Sequence, residues 1–461
     1  MRGGTGTQQR SMEIGRRQFL NATGTAFAAL VTACGGGGGS SSGSPAPTGT
    51  ASARPIGYGA LVSDPAALLD LPQGFSYRIL SARGDAMSDG GQVPDNADGM
   101  GCFALPGRRL ALVRNHELSP GAASGMPTGA AAPGYDTNPA GQTLPGGTTT
   151  ILLDATTFAV VGQFRSLAGT IRNCAGGVTP WGSWLSCEED TTRPGTDALH
   201  DHGFVFEVPA SATAPVVPVP LTAMGRFRHE AAIVDPASGN VFMTEDRDDG
   251  LLYRFVPAQP GRLAEGGKLQ ALGVAQGSRT DARNWTAPDF PGGVWTDIRW
   301  IDLADPESPA DDLRTRGLAA GALRFARGEG IHMGTGEFYF VCTSGGAARI
   351  GQIFRVDLAG GGSRLQLFVE STSPGQLNFG DNITIAPDGQ LVVCEDQGSS
   401  PVDNHLRGFT TAGESYPIAR LRTQSELAGA CFSPDGKALF LNIYSPARTL
   451  AITGPWQHLT A

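Results

Sequence analysis

The chain has 461 residues, of which 17% are charged, with 66 Gly, 32 Pro and a formal net charge of −9. So many turn residues among so few charges exclude long amphipathic helices as the main elements and favour strands joined by turns. The acidic balance argues against a nucleic-acid partner; the first 33 residues hold four Arg and one Glu, so the remainder is more acidic still.

Met1–Ala33 reads as a targeting segment. Gly15-Arg16-Arg17-Gln18-Phe19-Leu20 is a twin-arginine signal, and the apolar run Ala22–Val31 behind it is too short to span a bilayer. Val31-Thr32-Ala33-Cys34 has the form of a bacterial lipobox. The expectation is export in the folded state to the periplasm, with Cys34 either lipidated and holding the protein at a membrane or marking a cleavage site without lipid. Residues 34–55 are rich in Gly, Ser and Pro and form a flexible tether. Residues 56–461 show no second composition break and are taken as one domain.

Six stretches of that domain share one layout: a small or acidic start, an apolar run, a Pro/Gly turn and a second apolar run. In chain order they are Gly99–Glu117, Asn173–Asp190, Glu230–Arg247, Glu329–Gly345, Asp381–Gly398 and Gly429–Ser445. Repeated short hairpins with turn punctuation predict an all-β fold, a six-bladed β-propeller with long inter-blade insertions. Four of the hairpins finish on acids, at Glu117, at Glu188-Glu189-Asp190, at Glu245-Asp246 and at Glu395-Asp396. In a propeller the equivalent strand ends converge on the central channel, which would gather these carboxylates into one anionic pocket. The plainer alternative is a set of solvated hairpin ends.

The candidate ligands are mostly carboxylates, since the seven histidines show no H-x-x-x-H spacing. Oxygen donors suit calcium or ferric iron. Cys174 adds one soft donor that calcium does not need, which points to iron beside calcium; a buried structural thiol is the competing reading. Arg226-Phe227-Arg228-His229-Glu230 and Arg327-Gly328-Glu329 each place a cation beside a carboxylate at a strand start. Such an arginine either grips two phosphate oxygens or balances its neighbouring carboxylate. No nucleophile elbow, P-loop or dinucleotide fingerprint is present.

At these residues the sequence resembles the PhoX family of bacterial alkaline phosphatases. The matching stretches are Arg114–Glu117, Asn173–Asp190, His229-Glu230, Glu245–Arg247, Arg327–Gly330, Asp381-Asn382, Cys394–Gly398 and Glu426–Gly436. The resemblance implies a six-bladed propeller that cleaves phosphate monoesters with Ca2+ and Fe3+ in its channel, by in-line attack at phosphorus. It implies Cys174 as the iron thiolate and Glu189, Glu230, Glu329 and Glu395 as metal carboxylates, with Glu117, Glu245 and Asp396 as further candidates. It gives Arg327 the phosphate, with Glu329 beside it in the catalytic centre. The last hairpin departs from the family pattern, ending Ile443-Tyr444-Ser445-Pro446-Ala447. The competing functions are a calcium-dependent propeller lactonase or esterase and a non-catalytic tethered propeller.

Overall fold

The computed structural model describes residues 56–123, 133–359 and 364–457. The twin-arginine segment, Cys34 and the tether lie outside the described residues.

All six expected hairpins form, and each supplies the two inner strands of one blade. The innermost strands are Ala97–Leu105, Asn173–Val178, His229–Val234, Gly328–Met333, Gly380–Ile385 and Leu427–Phe432. Each lies against the next and the last lies against the first, so the six close a ring around one channel. The first blade continues outward through Arg109–His116, Gly146–Asp154 and Val160–Thr170, while the second stops at three strands with Ser183–Glu188 and Val205–Pro209.

The six blades make five hydrogen-bonded sheets. Trp295–Leu303 pairs on one side with Gly267–Val274 of the third blade and on the other with Arg364–Glu370 of the fourth, welding the two into one sheet. Ser76–Ala82 completes the sixth blade by pairing with Arg448–Thr453, so strands from both ends of the described chain close the ring. Apolar side chains fill the spaces between blades; Phe242, Phe325, Phe338, Phe340 and Phe354 pack together between the third and fourth. Each such buried ring contributes roughly 1.5–3 kcal/mol.

One irregularity recurs in all six innermost strands and positions the site. In the first blade Ala97 pairs with His116, but the next aligned pair is Met100 with Arg114, so three steps on one strand match two on the other. The same shift falls after Asn173, His229, Gly328, Gly380 and Ala428. A β-bulge of this kind re-aims one side chain and tightens the local twist. The bulged pairs are Asp98-Gly99, Cys174-Ala175, Glu230-Ala231, Glu329-Gly330, Asp381-Asn382 and Gly429-Ala430. Their second member is mostly small for a steric reason. A Cβ on Gly99 would lie 2.5 Å from the Cα of Ala175, and one on Gly330 would lie 2.7 Å from the carbonyl oxygen of Asp381. Adjacent innermost strands therefore approach backbone to backbone.

Candidate metal centre

The bulges turn Asp98, Cys174, Glu230, Glu329 and Asp381 toward one another across five blades; the sixth offers Gly429 at that place. Two further acids come from the strands that pair with them. Glu117 follows Arg109–His116, and its N–H bonds the carbonyl of Asn96; Glu189 follows Ser183–Glu188, and its N–H bonds the carbonyl of Arg172. Asp98, Glu117 and Cys174 form one group of potential metal donors, Cys174, Glu189 and Glu230 a second, and Glu230, Glu329 and Asp381 a third. Within each group the donor atoms all lie within 4.8 Å of one another, and all seven residues are buried. Shared members make the three groups one continuous cluster. The Cys174 thiol donates to Glu230 Oε1 at 3.1 Å and to Asp98 Oδ2 at 3.5 Å.

The backbone around Cys174 is held by buried side chains. The Asn115 amide donates to the carbonyls of Cys174 and Ala175 at 3.0 and 2.7 Å, and its oxygen accepts from Trp184 Nε1 and Ser186 Oγ, each at 2.9 Å. Asn173 donates to Ser186 Oγ at 2.9 Å. The Asn442 amide donates to the Asp98 carbonyl at 2.6 Å. These bonds explain why Asn173–Glu188 is the most distinctive run in the chain: its Asn173, Trp184 and Ser186 build the seat of the thiol together with Asn115 from the first hairpin.

Two arginines bear on the acids. Arg172 Nη2 lies 2.5 Å from Glu117 Oε1 and 2.6 Å from Glu189 Oε2. Arg327 holds Asp246 through Nε at 2.7 Å and Nη2 at 3.2 Å, and Nη2 also reaches Glu329 Oε1 at 2.9 Å. Both residues precede an innermost strand and have left-handed backbones, with φ of +45° and +55°. Tyr444 donates to Glu117 Oε2 at 2.7 Å. Burial, then the charge of Glu117, hold that phenol far above its usual pKa, so it stays a donor.

Five of the expected metal residues, Glu117, Cys174, Glu189, Glu230 and Glu329, are thus brought together, with Arg327 beside them. Three are not. Glu245 lies fully buried and accepts from the Leu251 N–H at 3.1 Å and the Tyr253 hydroxyl at 2.9 Å. Burial pushes its carboxyl up to about 7. Glu395 accepts from the N–H groups of Asn378 and His405 and from Arg407 Nε, all at 2.9 Å. Asp396 is half-buried and belongs to none of the three donor groups.

For Glu245 and Glu395 the physical reason is the period of two along a strand. Glu188, Glu245 and Glu395 occupy equivalent positions, each paired with the residue just before a bulge. From there their side chains turn into the blade and cap backbone N–H groups, as Glu188 does for Ile171, Gly203 and Phe204. The next residue in each hairpin, Glu189, Asp246 or Asp396, faces the other way.

Asp98 and Asp381 are cluster members beyond the expected set, and Arg172 and Tyr444 are contacts that spacing did not single out; Asp246, expected only as a hairpin-end acid, holds Arg327. A signal was present for the two aspartates: Asp98-Gly99 and Asp381-Asn382 repeat the acid-then-small pattern of Glu329-Gly330. Aligning the hairpins on that pattern, and not on their turns, finds them.

The other thiols among the described residues differ from Cys174. Cys102, Cys187, Cys342, Cys394 and Cys431 are unbridged, and burial raises the pKa of each. They pack in or against apolar clusters as small hydrophobes.

The donor set itself tests whether metal fits here. Two carboxylates 4.8 Å apart repel by about 3 kcal/mol at an effective dielectric of about 20. Six buried carboxylates gathered around one thiol therefore suit polyvalent cations.

Comparison with known proteins decides the family. A family profile described as Alkaline phosphatase PhoX matches residues 56–447. The chain belongs to the PhoX family of alkaline phosphatases. Among solved structures, PhoX of Pseudomonas fluorescens in complex with vanadate, a transition-state analogue, is 20% identical at a TM-score of 0.65, covering 84% of this chain and 96% of its own. That likeness supports the propeller fold. The gluconolactonase XC5397 of Xanthomonas campestris is 15% identical at a TM-score of 0.34, covering 82% of this chain and 100% of its own. The WD40 propeller domain of Doa1 is 11% identical at 0.37, covering 81% and 97%. No curated protein matches. Family membership makes the chain a metal-dependent phosphatase.

Proposed function

We propose that this PhoX-family phosphatase is an exported phosphomonoesterase whose channel takes iron and calcium. The observation that carries the reading is the convergence of a thiol and six carboxylates from five bulged strands and two neighbouring strand ends. The two donor groups containing Cys174 suit iron, because a thiolate is a soft, strongly donating ligand; the all-oxygen group of Glu230, Glu329 and Asp381 suits calcium. Bound there, such ions supply Lewis acidity toward the phosphoryl oxygens and the leaving group.

The chain's own groups do the rest. Asp246 and Glu329 fix the plane of the Arg327 guanidinium, and we assign it the phosphate oxygens, which its fork matches in geometry. Arg172 holds Glu117 and Glu189 in place between the first two blades, and Tyr444 holds the other oxygen of Glu117. Burial keeps bulk water from screening these charges. A calcium-only lactonase would leave the thiol without a purpose. Export by the twin-arginine route and lipid attachment at Cys34 complete the proposal.

The test is elemental analysis of the purified protein beside hydrolysis of p-nitrophenyl phosphate. Iron with calcium and turnover supports the reading. Calcium without iron favours the lactonase, and metals without turnover favour a non-catalytic propeller.

A further inference from the structure

Two residues of the metal centre, Arg172 and Glu189, are tied through their chain neighbours to one buried oxygen. Glu188 Oε1 accepts from the Ile171 N–H at 3.0 Å and from His202 Nδ1 at 2.7 Å. Ile171 precedes Arg172, and Glu188 precedes Glu189. Arg172 and Glu189 are then bound to each other by the Glu189 N–H on the Arg172 carbonyl, by Arg172 Nε on the Glu189 carbonyl and by Arg172 Nη2 on Glu189 Oε2. Whatever holds Glu188 Oε1 therefore holds the frame of both.

The other nitrogen of His202 meets a second carboxylate: Nε2 lies 3.1 Å from Asp136 Oδ2. The side chains of His202, Glu188 and Asp136 are wholly buried. Glu188 also accepts the N–H groups of Gly203 and Phe204, and Asp136 those of Thr137, Leu199 and His200. A ring set between two such acceptors donates from both nitrogens and is an imidazolium. Burial opposes that charge, but the two carboxylates outweigh it and raise the His202 pKa above its ordinary value. Asp136 belongs to the first blade, on the segment between Arg109–His116 and Gly146–Asp154. The N–H groups of Tyr135 and Asp136 bond the carbonyls of Ala168 and Gly169 in that blade's outermost strand. The Tyr135 hydroxyl donates to the Asp201 carbonyl at 2.7 Å, and its ring meets His202 edge-on with centroids 5.2 Å apart. Leu144, Ile171 and Ala198 pack together from the same three segments. A buried ion pair adds little stability over an apolar replacement; fixing one geometry is the better use of it.

We propose that His202 is a positioning residue of the metal centre. Held between Asp136 of the first blade and Glu188 of the second, it fixes the strand end from which Glu189 and Arg172 reach the donor groups. This rests on the metal reading of the cluster and deepens it. Glu189 shares a group with Cys174 and Glu230, and Arg172 holds Glu117, which shares another with Cys174 and Asp98. His202 thus keeps both thiol-containing groups formed before an ion arrives, as residues that orient metal ligands from behind do. The third group, Glu230, Glu329 and Asp381, contains neither Glu117 nor Glu189.

The visible iron–thiolate absorption of the purified protein, followed during titration with a chelator, reads the frame. His202→Gln loses the charge and one of the two donors. The chelator concentration that removes half of the absorption should fall by about tenfold to a hundredfold, with calcium retained. Asp136→Asn should shift it in the same direction. The double variant should shift it no further than His202→Gln, because Asp136 acts through the ring. His200→Gln, whose exposed ring bonds the same Asp136, should behave as the parent does. If His202→Gln is less stable in urea yet its folded fraction gives up iron at the parent's chelator concentration, the ring serves the fold alone and the positioning role is overturned. Failure of both His202→Gln and Asp136→Asn to fold overturns it as well. A parent protein without iron overturns the metal reading instead.

Discussion

Glu188 and Glu189 are neighbours with opposite surroundings, and changing each to Gln separates a structural carboxylate from a site carboxylate. The Glu188 carboxylate accepts from Ile171 N–H at 3.0 Å, Gly203 N–H at 2.9 Å, Phe204 N–H at 3.3 Å and His202 Nδ1 at 2.7 Å. A glutamine keeps one acceptor oxygen and turns an NH2 against donors. Two or more charge-assisted bonds are lost in a fully buried place, at about 3–5 kcal/mol. Glu189 faces the cluster, where it meets Arg172 and shares a donor group with Cys174 and Glu230. Removing its charge relieves repulsion among the acids, while Arg172 keeps Glu117. Chelator-treated Glu189→Gln should therefore be about as stable as chelator-treated parent, within about 1 kcal/mol, yet hold less metal and lose turnover. Urea denaturation of chelated proteins, beside elemental analysis, reads both effects. If Glu189→Gln costs as much stability as Glu188→Gln and keeps its metal, the alternation argument is wrong.

Cys174→Ser should abolish visible absorption and reduce bound iron while sparing calcium, whereas Cys187→Ser, inside an apolar cluster, should keep both; spectra and metal content of the two variants decide. Tyr444→Phe removes one hydrogen bond to Glu117 and should lower kcat/KM for p-nitrophenyl phosphate by several-fold, about 1 kcal/mol, without unfolding the protein; an unchanged rate would place Tyr444 outside the machinery. Glu245 binds its proton more tightly folded, at about 7, than its ordinary value of 4.5. Its contribution is present below pH 4.5 and is lost as pH rises toward 7, by about 3 kcal/mol. Glu245→Gln should flatten the pH dependence of stability in that window, and an unaltered slope in denaturation between pH 4.5 and 7 would refute the assignment.

Much of the fold is written locally. Turns such as Pro180-Trp181-Gly182 and Pro434-Asp435-Gly436 are set by residues within a few positions of each other, so the six hairpins and the acidic ends of four of them are legible without any long-range contact. Arg327 stands out for the same reason, a guanidinium two residues ahead of Glu329 at a strand start, and Cys174 by its place at the start of a hairpin that closes on acids. The facing of each acid is not local. Strand side chains alternate, so a single residue of register moves a carboxylate from the channel to the blade interior, and one bulge per innermost strand resets that count. Only pairing across the hairpin therefore decided that Glu189 joins the cluster while Glu188, Glu245 and Glu395 cap backbone. The same pairing brought in Asp98 and Asp381. The acids that hold Arg172 and Arg327 were likewise decided in three dimensions: the two arginines look alike in sequence, and Glu117, Glu189 and Asp246 reach them from other strands. The weld through Trp295–Leu303 needed the same distant information, because its two neighbouring strands lie on opposite sides of it in the chain.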